Sequence, residues 1–187
     1  MNISREEIVK EDYTGHDLSG SQIEGVTFKN CNFTQTNFFK SDIVDSTFID
    51  CNISNTNFKG TKLLNVIFKK CKIVGIDFWI IDNKFYSLKF DECTIILSSI
   101  SDLDFSKTSF AKSSFKEVHF IKMALKQADF SDTTFDKCLF HECDLTKASF
   151  IGATGYSISP VINTVLGAKF SLPDVIGLLE RFDIKLE

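Results

Sequence analysis

The amino-acid sequence predicts an all-β fold, a four-sided solenoid of short parallel strands, followed by a short C-terminal α-helix. Three observations predict it. Large apolar residues recur at every fifth position from residue 18 to residue 150, with one longer step near the middle. Small residues recur two positions before them, and the sequence matches itself best at a spacing of 20 residues. Internal repeats of this kind are typical of solenoids, in which each repeat packs on the next.

The apolar positions form two series, which begin at Leu18 and at Phe85. Of the 20 phenylalanines, 17 stand at this central position, so one ring size is selected for one repeated environment. A period of five fits no straight element, because residues five apart point about 140° apart on a helix and to opposite faces of a flat strand. Burial of every centre therefore requires the chain to turn once in each unit.

The number of sides follows from the cysteines. Cys31, Cys51 and Cys71 are spaced by 20 residues, and the next cysteine follows after 22. The two extra residues match the step of seven between the two apolar series, which spans the break at 79–84. A spacing of 20 means four units in each coil, and we expect the break to bulge outward without disturbing the stacking register. Coils then stack at about 4.8 Å, as parallel strands do.

The same periodicity divides the chain into three regions. We expect an N-terminal cap at residues 1–15, the repeat solenoid at 16–153, and a C-terminal cap at 154–187. All six cysteines fall at the small position, where packing explains them as reduced thiols in place of a disulfide framework.

Composition narrows the class of partner and the compartment. The formal net charge of −4 argues against direct nucleic-acid binding, which usually needs a basic patch. The sequence has no apolar run of the roughly 18 residues that a membrane span needs, and its start lacks the apolar core of a signal peptide. We therefore expect a cytoplasmic protein that binds neither membrane nor nucleic acid.

Catalytic and metal-binding motifs are not found in the sequence. The histidines are His16, His119 and His141, and only Cys138 with His141 resembles half of a metal site. Packing is the preferred interpretation of Cys138, because it stands at an inward small position. The sequence has no phosphate-binding glycine loop and no nucleophile–base pair. We expect no catalytic residue, metal, cofactor or small-molecule ligand, and therefore not an enzyme.

The repeat pattern resembles that of the pentapeptide-repeat family. An apolar centre is preceded by Asp or Asn and, one position earlier, by a small residue, from residue 16 to about residue 153. The resemblance implies a right-handed quadrilateral parallel β-helix. Repeat homology of this kind implies a fold and not a function.

The tail from Tyr156 to Ile184 looks like that of the Qnr quinolone-resistance proteins and of the microcin immunity protein McbG. Two repeat tracts joined by a short break are also similar to Qnr proteins. The resemblance implies a homodimer joined through the tail, and a DNA mimic that binds a bacterial type II topoisomerase, either DNA gyrase or topoisomerase IV. Such a protein would protect the enzyme from quinolones or from a peptide toxin, or would inhibit it.

The tail chemistry agrees with a helix. Ser171 is a candidate N-cap, and Pro173 and Asp174 suit the first turn. The following apolar residues are too many for one exposed helix. They either plug the open end of the solenoid or form a symmetric dimer interface, and they are Val175, Ile176, Leu178, Leu179 and Phe182.

A partner-binding surface is expected on the faces of the solenoid that carry carboxylates. The candidate residues are Asp17, Glu24, Asp42, Asp45, Asp77 and Trp79. Trp79 opens the break, which is either a harmless insertion or a protruding contact element. Lysines crowd the middle of the rod, so a solvated surface of mixed charge is an alternative. The alternative function is a structural or scaffolding solenoid with no topoisomerase partner.

Overall fold

The computed structural model describes residues 2–4, 6–82, 84–179 and 182. It shows a parallel β-solenoid of about eight coils with almost no helix, as the periodicity predicts. Its strands are β1 (Asn2–Ser4), β2 (Glu7–Val9), β3 (Gln22–Glu24), β4 (Thr27–Lys29), β5 (Asp42–Val44), β6 (Thr47–Ile49), β7 (Asn52–Ser54), β8 (Lys62–Lys69), β9 (Lys72–Val74), β10 (Tyr86–Asp91), β11 (Thr94–Ile96), β12 (Ser99–Ser101), β13 (Ser114–Lys116), β14 (His119–Ile121), β15 (Thr134–Asp136), β16 (Leu139–His141), β17 (Ser149–Phe150) and β18 (Lys169–Phe170). Two 3₁₀ helices span Phe78–Ile80 and Asp174–Leu178. Within the described ranges, no helix has the length and apolar character needed to cross a membrane.

The coil has four faces, each named after one of its central residues in chain order: the Phe33, Phe38, Ile43 and Phe48 faces. The Phe33 face is the sheet β7-β9-β11-β13-β15. The Phe38 face contains the sheet β12-β14-β16 and isolated bridges in the earlier coils. The Ile43 and Phe48 faces share one eight-stranded sheet, because the eight-residue strand β8 continues around the corner between them. All these pairings are parallel, which places each unit over the unit four repeats later.

Register is 20 residues in each half and 22 across the break, as predicted. Phe48 pairs with Phe68, and Phe68 pairs with Phe90. The prediction that Phe85 lies in the core is wrong. Tyr86 lies opposite Leu63 instead, and the side chain of Phe85 is 58% exposed. A bulge between Tyr86 and Leu88 then restores the 22-residue offset. The extra residues therefore lie between Asp82 and Tyr86. Asn83, within this interval, lies outside the described residues.

The interior is a continuous column of stacked rings on the Phe48 face. Neighbouring rings in the column have centroids 4.9–5.6 Å apart and interplanar angles of 6–25°. The stacked residues are Phe28, Phe48, Phe68, Phe90, Phe110, Phe130, Phe150 and Phe170. Rings on adjacent faces meet these edge-on, as Phe28 and Phe33 do at 5.1 Å. Both arrangements are favoured for aromatic pairs and add to the burial of apolar area.

The small residues that stand two positions before each apolar centre form hydrogen bonds as well as filling the interior. Thr56 and Thr61 donate their hydroxyls at 2.7 and 2.6 Å to the carbonyls of the central residues Phe33 and Phe38 of the preceding coil. Cys71 reaches the carbonyl of Phe48 in the same way, with its sulfur 3.3 Å from the oxygen. The carbonyls of Phe33 and Phe38 also accept from the backbone N–H groups of Thr36 and Ser41, so each hydroxyl adds a second hydrogen bond that joins adjacent coils. Ser, Thr and Cys are therefore favoured at this position as small donors.

Nearly every corner bends through a left-handed backbone conformation. The residue two positions after each centre has φ between +49° and +71° in nearly every unit. Most of these residues are Gly, Asn, Asp, Lys, Gln or Glu. Glycine is required at Gly155, since a Cβ there would lie 2.2 Å from the carbonyl oxygen of Phe135.

Parallel pairing extends beyond residues 16 and 153, the predicted limits of the repeat tract. Strand β1 pairs with β3, so the N-terminal segment forms a coil of its own. At the other end, Phe150 pairs with Phe170. Residues 1, 5, 180, 181 and 183–187 of the two predicted end segments lie outside the described residues.

The predicted C-terminal α-helix is wrong, because the described residues form a 3₁₀ helix that starts after Pro173. The predicted N-cap Ser171 instead accepts a hydrogen bond from the backbone N–H of Gly152 at 2.7 Å. Gly177 packs where an added Cβ would lie 2.1 Å from the carbonyl oxygen of Tyr156. Its own carbonyl accepts from the N–H of Ile158. The segment is thus held flat against the last coil, which opposes a regular α-helix.

The ring column generates a stability prediction. We expect Phe130→Ala to lower the free energy of unfolding by about 3–5 kcal/mol, because it removes a fully buried ring that stacks on two others. The matched control is Phe85→Ala, which truncates an exposed ring and should change stability by less than about 0.5 kcal/mol. Urea denaturation followed by circular dichroism measures both. Equal losses from the two variants would contradict the assignment of Phe85 to the surface.

Candidate functional site

The Phe38 face carries a ladder of Asp and Asn side chains. Asp17 accepts from the amide of Asn37 at 2.9 Å, and Asn37 accepts from the amide of Asn57 at 2.8 Å. Asp77 follows at the next interval of 20 residues. The pKa of Asp17 is lowered by hydrogen bonds from the side chain and backbone of Ser19, with a smaller contribution from Asn37. The ladder therefore begins with a carboxylate that stays ionised at neutral pH.

The second group of predicted carboxylates lies on the Ile43 face. Glu24 ends β3 and Asp42 begins β5, and these two strands are paired neighbours. Asp45 follows at the corner with φ of +49°, where it accepts from the amide of Asn65 at 2.7 Å. The structure thus brings these three carboxylates together within two adjacent coils, close to the N-terminal end.

Lysine–carboxylate ion pairs are unevenly distributed along the rod. The described residues contain six lysine–carboxylate pairs within 4.0 Å, and five of them join side chains between residues 69 and 144. Among the described residues before Lys69, only Glu7 is paired, with Lys29 at 2.8 Å. The predicted carboxylates are therefore not neutralised by such pairs among the described residues. This contrast makes the N-terminal coils, before Lys69, the stronger candidate for binding a cationic partner.

The break adds two exposed aromatic rings to the middle of the rod. Trp79 lies in the first 3₁₀ helix on the Phe38 face and is 56% exposed. Phe85 lies beyond the turn, with the Nζ atom of Lys62 5.8 Å from its ring centroid. The flanking backbone is tied to the preceding coil, since the N–H of Asp82 donates to Thr61. Trp79 is thus presented by an ordered turn and not by a long protruding loop.

The C-terminal end presents an apolar surface. Of the five predicted interface residues, Ile176, Leu179 and Phe182 are exposed, whereas Val175 is half-buried and Leu178 packs against the core. Sequence reasoning missed Leu172 and Leu166, which are 84% and 73% exposed. Leu166 stands at the outward position just after a repeat centre. The repeat pattern predicted coils only as far as residue 153, whereas the structure continues them to Phe170. The exposed residues of this apolar end are Val161, Leu166, Leu172, Ile176, Leu179 and Phe182.

The thiols and histidines do not form a reactive centre among the described residues. Burial raises the pKa of the Cys31, Cys138 and Cys143 thiols, which disfavours the nucleophilic thiolate. Cys138 donates to the carbonyl of Phe115 at 3.4 Å, while His141 contacts Glu142 at 3.3 Å. The described part of the chain contains no group of three or more His, Cys, Asp or Glu side chains placed to hold a metal ion.

Comparison with known proteins gives two matching sequence profiles of one family. The profile described as a pentapeptide repeat region matches residues 21–95, and that described as pentapeptide repeats (9 copies) matches residues 105–154. Together they cover more than half of the 187 residues. No curated protein sequence matches the chain.

Similar solved structures include two of QnrB1, a plasmid-mediated fluoroquinolone resistance protein. A trypsin-treated variant is 18% identical with a TM-score of 0.55, over 100% of both chains. The full-length protein is 18% identical with a TM-score of 0.53, over 96% of this chain and all of its own. HetL, a pentapeptide repeat protein involved in heterocyst differentiation regulation from the cyanobacterium Nostoc sp. strain PCC 7120, is 12% identical with a TM-score of 0.44, over 91% of this chain and 85% of its own. At these identities the likeness to QnrB1 concerns the fold.

Thiol reactivity tests the assignment of the cysteines to packing. In the native protein at pH 8, we expect the five buried thiols to be inert towards Ellman's reagent and the half-buried Cys138 to react slowly. All six should react at once in guanidinium chloride. Cys138→Ser should remove the slow native phase. Rapid reaction of several thiols in the native protein would contradict a closed interior.

Proposed function

We propose a function on one premise: this chain belongs to the pentapeptide-repeat family. The proposed function is that of a non-enzymatic DNA mimic. The protein would bind bacterial DNA gyrase or topoisomerase IV and protect the enzyme from quinolones or a peptide toxin. The likeness to the fluoroquinolone resistance protein QnrB1 over the whole length of both chains supports a role of this kind.

The observation that carries the proposal is the uneven charge pairing along the rod. Carboxylates without lysine partners among the described residues cluster in the N-terminal coils, where Glu24, Asp42 and Asp45 lie on one side and Asp17 lies on the next face. A DNA-binding surface of an enzyme is basic, because it neutralises phosphates. A rigid rod that holds carboxylates on two adjacent faces offers such a surface fixed negative charges that cost little entropy to order.

The apolar end is the basis for proposing that the DNA mimic is a dimer. Leu166, Leu172 and Phe182 are large side chains exposed together at the last coil. A solenoid end must be covered, and exposed apolar patches of this kind mark interfaces. We propose that two copies pair through the apolar end with two-fold symmetry, so that each copy contributes the same surface. The acidic N-terminal coils then lie at the two far ends of a longer rod.

The dimer can be tested by mass. We expect the wild-type chain to have twice its monomer mass, and the double variant Leu172→Asp/Ile176→Asp to have the monomer mass, because two carboxylates would be buried without partners in the interface. Both positions are exposed in the single chain, so the fold should be unchanged. Size-exclusion chromatography with light scattering gives the mass. A double variant that keeps the dimer mass would exclude the apolar end from the interface.

The mimic can be tested with gyrase. We expect titration of the wild-type protein into a supercoiling assay to restore activity in the presence of a quinolone, and the complex to weaken as salt rises. Inhibition without rescue would indicate an inhibitor of the same enzyme. No effect in either arm would favour the scaffolding solenoid.

The carboxylates can be tested by a matched pair of variants. We expect the triple variant Glu24→Gln/Asp42→Asn/Asp45→Asn to bind gyrase about tenfold more weakly or worse at low salt. The control Asp91→Asn/Glu92→Gln/Asp136→Asn removes the same charge from side chains that already pair with lysines. It should bind nearly as the wild type does. Equal weakening by both variants would mean that net charge alone matters.

A further inference from the structure

One corner residue departs from the chemistry of all the others. The described residues include 21 non-glycine residues with positive φ, and Leu97, with φ of +50°, is the only apolar one among them. The left-handed conformation is unfavourable for a bulky side chain, whereas Asn, Asp and Gly adopt it readily. At this corner, stability alone would favour the residues found at equivalent positions, such as Asn55 and Gly75 in the preceding coils.

Burial does not compensate for this strain. The side chain of Leu97 points outward and is 58% exposed, as is typical of the polar corner residues. The hydroxyl of the neighbouring Ser98 already forms hydrogen bonds within the fold, since it donates to the carbonyl of Ile96 and accepts from the N–H of Ile76. Strained and exposed apolar residues cluster at binding sites, where contact with a partner offsets the cost.

The surroundings of Leu97 are acidic and concave. A depression of about 310 Å³ is lined by Leu97, Ser98, Ser99, Asp77, Glu117 and His119. Neither Asp77 nor Glu117 forms an ion pair within 4.0 Å among the described residues. Trp79 is exposed on the same face as Asp77, two residues further along the chain. The depression therefore combines an apolar contact with two available carboxylates at mid-length of the rod.

We propose that this depression is a second docking surface, on which Leu97 anchors a protein segment that carries an arginine or lysine beside an apolar side chain. The apolar side chain packs on Leu97, and the cationic group pairs with Asp77 and Glu117. Charge complementarity favours this occupant over nucleic acid, whose phosphates would face two carboxylates. The inference rests on the proposed function, because it assigns the segment to the topoisomerase and places a contact far from the N-terminal carboxylates.

The decisive variant is Leu97→Asn, which has opposite effects on folding and on binding. Asparagine relieves the left-handed strain, so the melting temperature should rise by about 1–3 °C. Loss of the apolar anchor should weaken binding to immobilised gyrase of the host organism by about tenfold or more. The matched control is Lys107→Asn, at a corner with φ of +62° on the opposite side of the coil. The control should melt no lower than the wild type and bind as it does.

The outcomes separate this inference from the proposed function. Equal binding of wild type and Leu97→Asn would overturn the second docking surface and leave the topoisomerase partner standing. A wild-type protein that does not bind gyrase would overturn both. If Leu97→Asn changes the oligomeric mass instead, the depression contacts a second copy, which also overturns the inference.

The carboxylates provide an independent measurement. We expect Asp77→Asn/Glu117→Gln to weaken gyrase binding and to reduce its dependence on salt. The variant should melt as the wild type does, because neither side chain forms an ion pair within the described part of the chain. A variant that binds as the wild type does at every salt concentration would remove the cationic group from the proposed segment.

Discussion

The structure depends on one constraint, which is that each central side chain must lie over its equivalent in the next coil. Twenty residues return the chain to the same face, so that Phe130 stacks between Phe110 and Phe150 at 4.9 Å on either side. Small side chains of one coil donate hydrogen bonds to the carbonyls of central residues in the preceding coil, such as Phe33, Phe38 and Phe48. A change in coil length would therefore break the ring column and the hydrogen bonds together, which is why the register recovers within a few residues of the break.

This constraint leaves the outer surface free to vary. Outward positions contribute little to the core, so their charges can be distributed for other purposes without loss of the fold. The N-terminal coils carry carboxylates without lysine partners, the middle carries Leu97 and Trp79, and the last coil carries apolar residues. The rod therefore supports three chemically different surfaces on one repeated backbone. The proposed function and the proposed docking surface both draw on this separation of core from surface.

The departures from the repeat are informative for the same reason. Gly177 and Gly155 meet backbone carbonyls so closely that no side chain fits, and their presence is explained by packing at the last coil. Packing does not explain Leu97 in the same way, because its backbone has an unfavourable positive φ and its side chain is exposed. A residue that opposes local stability in an otherwise uniform coil points to a contact outside the chain. The described part of the chain combines this feature with an acidic depression only at this corner.

The sequence by itself determined the four-sided coil, the 20-residue register and its recovery after the break. A strict period of five requires a chain that turns in every unit, and the 20-residue spacing of the cysteines requires four units in each coil. It also located Asp17, Glu24 and Asp42 on their faces, since the position within a unit decides whether a side chain points in or out. Only the tertiary structure decided that the half-buried Tyr86 lies opposite Leu63 in place of Phe85, and that Asp174–Leu178 forms a 3₁₀ helix. Both depend on the fit of particular atoms against the preceding coil, such as Gly177 against Tyr156, and periodicity does not encode that fit. The strain at Leu97 likewise appeared only once the backbone angle of its corner was known.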